Sequence, residues 1–227
     1  MRASAAPGTE TRFERARLLG KRMRSEFPEL RVGVASLTDR LLPHLFPTAN
    51  DHSFRDTLDR SIGVERPASI QRGNALASSL DAFDGLRRSQ YFAPGTRQML
   101  LVVIPDAESR PLNVARLRRS FRSSGVATVL VRIGSGGERV FVNGVADPRY
   151  RPPPRAAAAA EAFAEATGGQ AFSEGELDEA IAAARRAIPG EGPRTATTEV
   201  EPRPLAAFAF GAAFLPLAFL LWRRNVR

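Results

Sequence analysis

The 227-residue chain contains no cysteine. Disulfide scaffolds, thiolate zinc centres, iron–sulfur clusters and cysteine nucleophiles are thereby excluded, while the compartment stays open. Histidine is nearly as scarce, with only His44 and His52, and neither accompanies a nucleophile context such as Gly-x-Ser-x-Gly. No hydrolase constellation is present, and no enzymatic activity is expected. Lysine is represented by Lys21 alone, so the formal charge of +9, from 33 basic against 24 acidic residues, rests on arginine. Such a bias suits a GC-rich genome as well as a polyanionic partner. Hydrophobic residues at 43% and charged residues at 25% are ordinary globular values and exclude both a disordered chain and a multi-span membrane protein. This length holds one full-sized domain with an appendage, not two large domains.

One long apolar run stands near the end. Residues 205–222, among them Leu205, Phe210, Leu215 and Trp222, carry no charge and are bounded by Arg203 before and Arg223, Arg224 and Arg227 after. At 1.5 Å per residue this gives roughly 27 Å of helix, enough for a single transmembrane span anchored by Trp222 and the arginines. The basic tail, 223–227, predicts a cytoplasmic C-terminus and an extracytoplasmic domain in the cell membrane. Residues 1–20 contain no apolar stretch of signal-peptide type, which conflicts with that orientation unless the domain is a cytoplasmic tail-anchored one or further chain precedes it. Residues 189–204 hold four prolines, two glycines and three threonines without apolar period and read as a stalk. The Pro-rich 151–155 reads as a surface loop before a helix.

Between these ends, Phe13, Ala16, Gly20, Met23 and Phe27 recur at helical steps ahead of Pro28. Residues 31–37 and 40–46 read as neighbouring strands across the turn at Thr38 and Asp39, with Pro43 placing the second at an edge. Residues 51–62 and 74–86 have helical period. Residues 99–104 are continuously apolar, as in a strand covered on both faces, and run into Pro105 and Asp106. A helix through Val114, Leu117 and Phe121, a covered strand at 126–131, a short strand at 138–142, a helix at 155–166, a short strand at 170–172 and a helix at 174–188 complete the alternation. This predicts an α/β fold, a doubly wound and mostly parallel sheet with helices on both sides, over 1–188. Ligands of such sheets bind beyond the strands' carboxyl ends, where Asp106 stands.

The stretches 31–40, 42–48 and 100–108 resemble the von Willebrand factor A family, especially bacterial aerotolerance-type membrane proteins. The resemblance covers about residues 9–188 by order of elements. It implies a Rossmann-like domain carrying a metal-ion-dependent adhesion site, built from an Asp-x-Ser-x-Ser after the first strand, a Thr in a later loop and an Asp after the central apolar strand. Hard oxygen donors of that kind suit Mg²⁺, which keeps waters and an open position for a partner's carboxylate. Only Asp106 matches a position of this motif. There is no Asp-x-Ser-x-Ser, the Asp is followed by Ala107 instead of Gly, and residues 71–74 offer no Thr. The expectation is no cofactor, with Mg²⁺ only if a restored first motif supplied its ligands. The resemblance also implies that the family's first, central strand and its motif would end just before Met1.

Other features have plainer explanations. Residues 134–137, Gly-Ser-Gly-Gly, read as a hairpin turn, because strand-like and not helical sequence follows. Asp51, His52 and Asp56 read as a helix cap and solvated face, and His44 as a core or edge histidine. Residues 61–154 carry 14 arginines against 7 acids, with Arg116, Arg118, Arg119 and Arg122 on one helix. Without interleaved aromatics or a nucleic-acid motif this reads as a solvated face.

The functional expectation is a single-pass, membrane-anchored protein-binding module of the cell envelope, its partner surface at Thr38, Asp39, Asp106 and Glu108; the family resemblance implies that its partners are other envelope or membrane proteins of a system linked to a MoxR-type AAA+ ATPase. The alternatives are a cytoplasmic tail-anchored basic protein that binds RNA or anionic lipid, and an inactive gene fragment.

Overall fold

The computed structural model describes residues 1–64, 78–86, 90–152 and 154–188. The chain divides into Met1–Gly192 and Pro193–Arg227. The second part, with the expected stalk at 189–204, span at 205–222 and basic tail at 223–227, lies outside the described residues. Among the described residues no helix is long and apolar enough to cross a membrane.

Helix α1 (Arg12–Ser25) starts where the sequence supplies a reciprocal cap: the Thr11 hydroxyl accepts the Glu14 N–H and the Glu14 carboxylate accepts the Thr11 N–H at 2.7 Å. Strands β1 (Val32–Leu37) and β2 (Leu41–Thr48) form an antiparallel hairpin, with Pro43 opposite Ala35 on a strand that pairs on one side only. Helix α2 (Asp51–Asp56) continues as a π-helical turn, Thr57–Ser61, and packs Phe54 and Leu58 against Val34.

Strand β3 (Met99–Val103) is followed by α3 (Val114–Phe121), β4 (Val126–Arg132), the short hairpin β5 (Phe141–Val142) and β6 (Val145–Ala146), α4 (Ala156–Thr167), β7 (Gln170–Ser173) and α5 (Leu177–Ala187). Two βαβ crossovers give a parallel sheet in the order β3-β4-β7, with Met99 opposite Val126 and Val129 opposite Gln170. The alternation of β4 side chains divides the core. Leu130 and Val126 join Leu117 and Phe121 of α3 and Phe163 of α4 on one face, while Val129 and Val131 join Met23 of α1 and Ile181 of α5 on the other. Helices therefore cover both faces, which is why β3 and β4 are apolar at nearly every position. Phe163 is fully buried, its ring 5.3 Å from Phe83 and 6.5 Å edge-on to Phe121.

Three local expectations are corrected. The anticipated sheet is divided among the described residues: the β1-β2 hairpin is separate from β3-β4-β7. They share neighbours instead, because Gly20 of α1 lies against both Leu58 under the hairpin and Ile104 after β3. The helix anticipated over 74–86 is a 3₁₀ helix at Leu80–Gly85, and 74–77 fall outside the described residues. Ser78 and Ser79 are extended because their backbone is taken by tertiary partners: Ser78 bridges Ser109 and the Ser79 N–H donates to the Thr38 carbonyl at 2.9 Å. Residues 134–137 do not turn β4 back into a hairpin. The hairpin instead closes at Asn143 and Gly144, both at positive φ, between β5 and β6.

Candidate functional site

The loops after β3, β4 and β7 meet the start of α1, where Arg12 and Arg15 reach Glu108, Glu138 and Glu174. After β3 comes Asp106, whose carboxylate is nearly buried; its Oδ2 meets the Met1 ammonium at 2.6 Å and its Oδ1 accepts the Glu108 N–H at 3.3 Å. Between them Ala107 is buried at a φ of +55°, a left-handed conformation that a non-glycine residue holds only when its surroundings enforce it. Thr38 and Asp39 lie after β1, where the Thr38 hydroxyl donates to Asp39 at 3.1 Å. A chain of hydrogen bonds joins the two loops. Ser79 donates to Thr38, the Ser78 hydroxyl donates to the Glu108 carbonyl at 3.3 Å, and the Arg110 N–H donates to the Ser78 carbonyl at 3.0 Å. All four anticipated residues thus fall in adjoining loops at one end of the fold, although Thr38 and Asp39 reach the Asp106 loop through Ser78 and Ser79.

Sequence reasoning missed the centre of this region, which is Arg12. Its side chain is 3% exposed and donates from Nε to Glu138 Oε2 at 2.5 Å, from Nη1 to the Glu108 carboxylate and to the Tyr150 hydroxyl at 3.1 Å, and from Nη2 to the Ser135 carbonyl at 3.3 Å. Tyr150 in turn donates to Glu108. Arg15 adds a second guanidinium on Glu138 at 2.5 Å and reaches Glu174 at 3.3 Å. Gly134, at φ +96°, leaves the space through which Arg12 passes, since a Cβ there would overlap the guanidinium. The Ser4 backbone pairs in both directions with Arg139 and closes this side of the cluster.

The electrostatics follow from burial set against pairing. Burial alone would lower the Arg12 pKa, but its hydrogen bonds with Glu138 and Glu108 outweigh that and raise it. Burial pushes the Glu138 carboxyl up, and the Arg12 and Arg15 hydrogen bonds more than reverse it, holding Glu138 below its ordinary value. Burial raises the Tyr150 phenol, and its bond to the Glu108 carboxylate raises it further, so it stays protonated as a donor. A depressed folded-state pKa means that Glu138 stabilises the fold above the unfolded value of 4.5 and that this contribution is lost as pH falls through the lower folded value. Acid titration followed by circular dichroism should therefore show stability declining below that pH, with a shallower decline in Glu138→Gln.

The arginine-bearing helix α3 is partly neutralised. Arg116 pairs with Asp84 at 2.6 Å and Arg118 with Glu165 at 2.9 Å, while Arg119 and Arg122 are exposed. His52 lies 3.5 Å from Asp56 on an exposed helix turn, and His44 bonds the Ser36 hydroxyl at 2.8 Å in the hairpin. Among the described residues no group of three or more His, Asp or Glu side chains is disposed to hold a metal ion. The anticipated anchor residues Leu205, Phe210, Leu215, Trp222, Arg223 and Arg224 lie outside the described residues.

No family model and no curated protein matches the chain. Solved structures do. An aerotolerance-related membrane protein from Bacteroides fragilis matches with a TM-score of 0.62 at 17% identity, over 82% of this chain and 92% of that one. The conserved hypothetical protein BatB from Bacteroides thetaiotaomicron matches with a TM-score of 0.62 at 16% identity, over the same shares, 82% and 92%. At such identities the fold is what is shared.

Proposed function

We propose that this chain is a membrane-anchored, von Willebrand A-like module that binds partner proteins at the carboxyl end of its sheet, around Asp106. The observation that carries this reading is the convergence of the loops after β1 and β3 on one surface. Ala107 is held there in a left-handed conformation, and Ser78 and Ser79 tie the loops together. The likeness in fold to an aerotolerance-related membrane protein, taken with the apolar run at 205–222 of the sequence, supports membrane association.

The donor set does not suit the Mg²⁺ that the family resemblance implies. Asp106 already accepts the Glu108 N–H, and Glu108 and Glu138 are engaged by Arg12, whereas Mg²⁺ needs free carboxylates in near-octahedral array. Binding in this reading works through direct contacts of the Thr38, Asp39, Asp106 and Glu108 loops. A pull-down of the full chain from membranes tests it. Wild type should recover specific envelope partners that Asp106→Ala loses; equal recovery by both would contradict it.

A further inference from the structure

Every carboxylate gathered behind Asp106 is met by a cation that the chain itself supplies. Arg12 contributes one guanidinium to two carboxylates, Glu108 and Glu138, and Arg15 seals the second oxygen of Glu138. A planar guanidinium can satisfy several acceptors in fixed directions without being deprotonated, which is the geometry seen, with the Ser135 carbonyl and the Tyr150 hydroxyl as further acceptors. These acceptors come from the loop after β3, the loop after β4 and the segment before α4. One side chain thereby fixes three separate pieces of the carboxyl end.

A second observation, independent of the charges, shows that the backbone is shaped around this group. Gly134 adopts a φ of +96°, and Arg12 fills the position of the missing Cβ, with its Cδ 2.9 Å from where that atom would stand. The neighbouring Arg132 guanidinium bonds the Gly134 carbonyl at 2.6 Å and the Glu174 carboxylate accepts the Gly134 N–H at 3.3 Å, so this turn is held on both sides.

We propose that Arg12 is the resident cation of this carboxylate cluster: it organises the carboxyl-end loops itself, and their arrangement is independent of divalent metal. A divalent ion entering the cluster would have to displace a buried guanidinium from both of its carboxylates or stand beside it in a poorly solvated space, where like charges repel strongly. The inference goes beyond partner binding, because it holds whether or not a protein docks at Asp106.

The test is thermal unfolding of the full chain in chelator and in millimolar Mg²⁺, Ca²⁺ or Mn²⁺, alongside Arg12→Met and Tyr150→Phe. The midpoint of the wild-type chain should be the same with chelator and with each ion. Arg12→Met should unfold at a clearly lower temperature, and Tyr150→Phe, which removes one acceptor and one donor, at an intermediate one. An ion-dependent rise of the wild-type midpoint would overturn the proposal, as would an Arg12→Met protein that melts with wild type. If Arg12→Met fails to fold, the wild-type comparison and Tyr150→Phe still decide: an unchanged Tyr150→Phe midpoint would overturn the proposal.

Discussion

Replacing Arg12 with methionine should cost about 3–5 kcal/mol of unfolding free energy, because it removes the partner of two carboxylates and leaves Glu138 buried with only Arg15 to face it. The size of the effect comes from the stranded charge more than from the attraction lost. Glu138 is 6% exposed, and water cannot reach it to replace the guanidinium. An exposed pair makes the contrast. Arg22 and Asp178 meet at 2.7 Å, yet their side chains are 56% and 78% exposed, so Arg22→Met should change stability by less than about 1 kcal/mol. Urea unfolding of the two variants measures the difference directly. A double variant, Arg12→Met with Glu138→Leu, should recover part of the loss, since it removes the stranded carboxylate together with its partner.

Phe163→Ala should cost a similar amount, about 3–5 kcal/mol, by a different mechanism. Phe163 is wholly excluded from solvent and stands between Phe83 and Phe121, in the cluster that also holds Leu117 and Leu130. Truncation removes its transfer free energy and leaves a cavity bounded by α3, the sheet and the Leu80–Gly85 turn, none of which can collapse far while β4 stays paired on both sides. For a domain of this size the unfolding midpoint should fall by roughly 10 °C in a thermal melt. Phe163→Leu should fall by much less, because most of the volume is retained. The Arg12 and Phe163 effects should differ in their pH response. Only the first involves ionised partners, and so only the first should change as Glu138 titrates.

Elements governed by local pattern were legible in the sequence. The apolar runs at β3 and β4 announced strands covered on both faces, and α1 announced itself by its apolar period ahead of Pro28. Asp106 could be placed at a strand's carboxyl end for the same reason. What escaped depends on tertiary neighbours. Periodicity assigns Arg12 to the charged face of its helix, and nothing local shows that Glu108, Glu138 and Tyr150, 96, 126 and 138 residues away, converge on it. Its only trace is Gly134, which in a glycine-rich run reads more readily as a turn. The true hairpin signal lay a few residues later in Asn143-Gly144, a pair suited to positive φ at both positions. Ser78 and Ser79 follow an apolar helical period but surrender their backbone groups to Ser109 and Thr38, and pairing across the fold overrides propensity there.

The arginines of α3 set the rival account, in which an acidic surface is the partner. Helix α3 runs from the carboxyl end of β3 back toward the amino end of β4, so exposed Arg122 lies at the far end of the sheet from Asp106. Binding through α3 should weaken steeply with salt, whereas docking at the Asp106 loops should not depend on Arg122. The two accounts thus separate by position as well as by ionic strength.

The most direct measurement is a side-by-side recovery of membrane proteins by the full-length wild type, Asp106→Ala and Arg122→Ala, with folding of each confirmed by its melt. Recovery of the same partner by wild type and Arg122→Ala, and its loss in Asp106→Ala, is the predicted result. Retention by Asp106→Ala together with loss in Arg122→Ala would contradict the assignment of the sheet's carboxyl end as the binding surface.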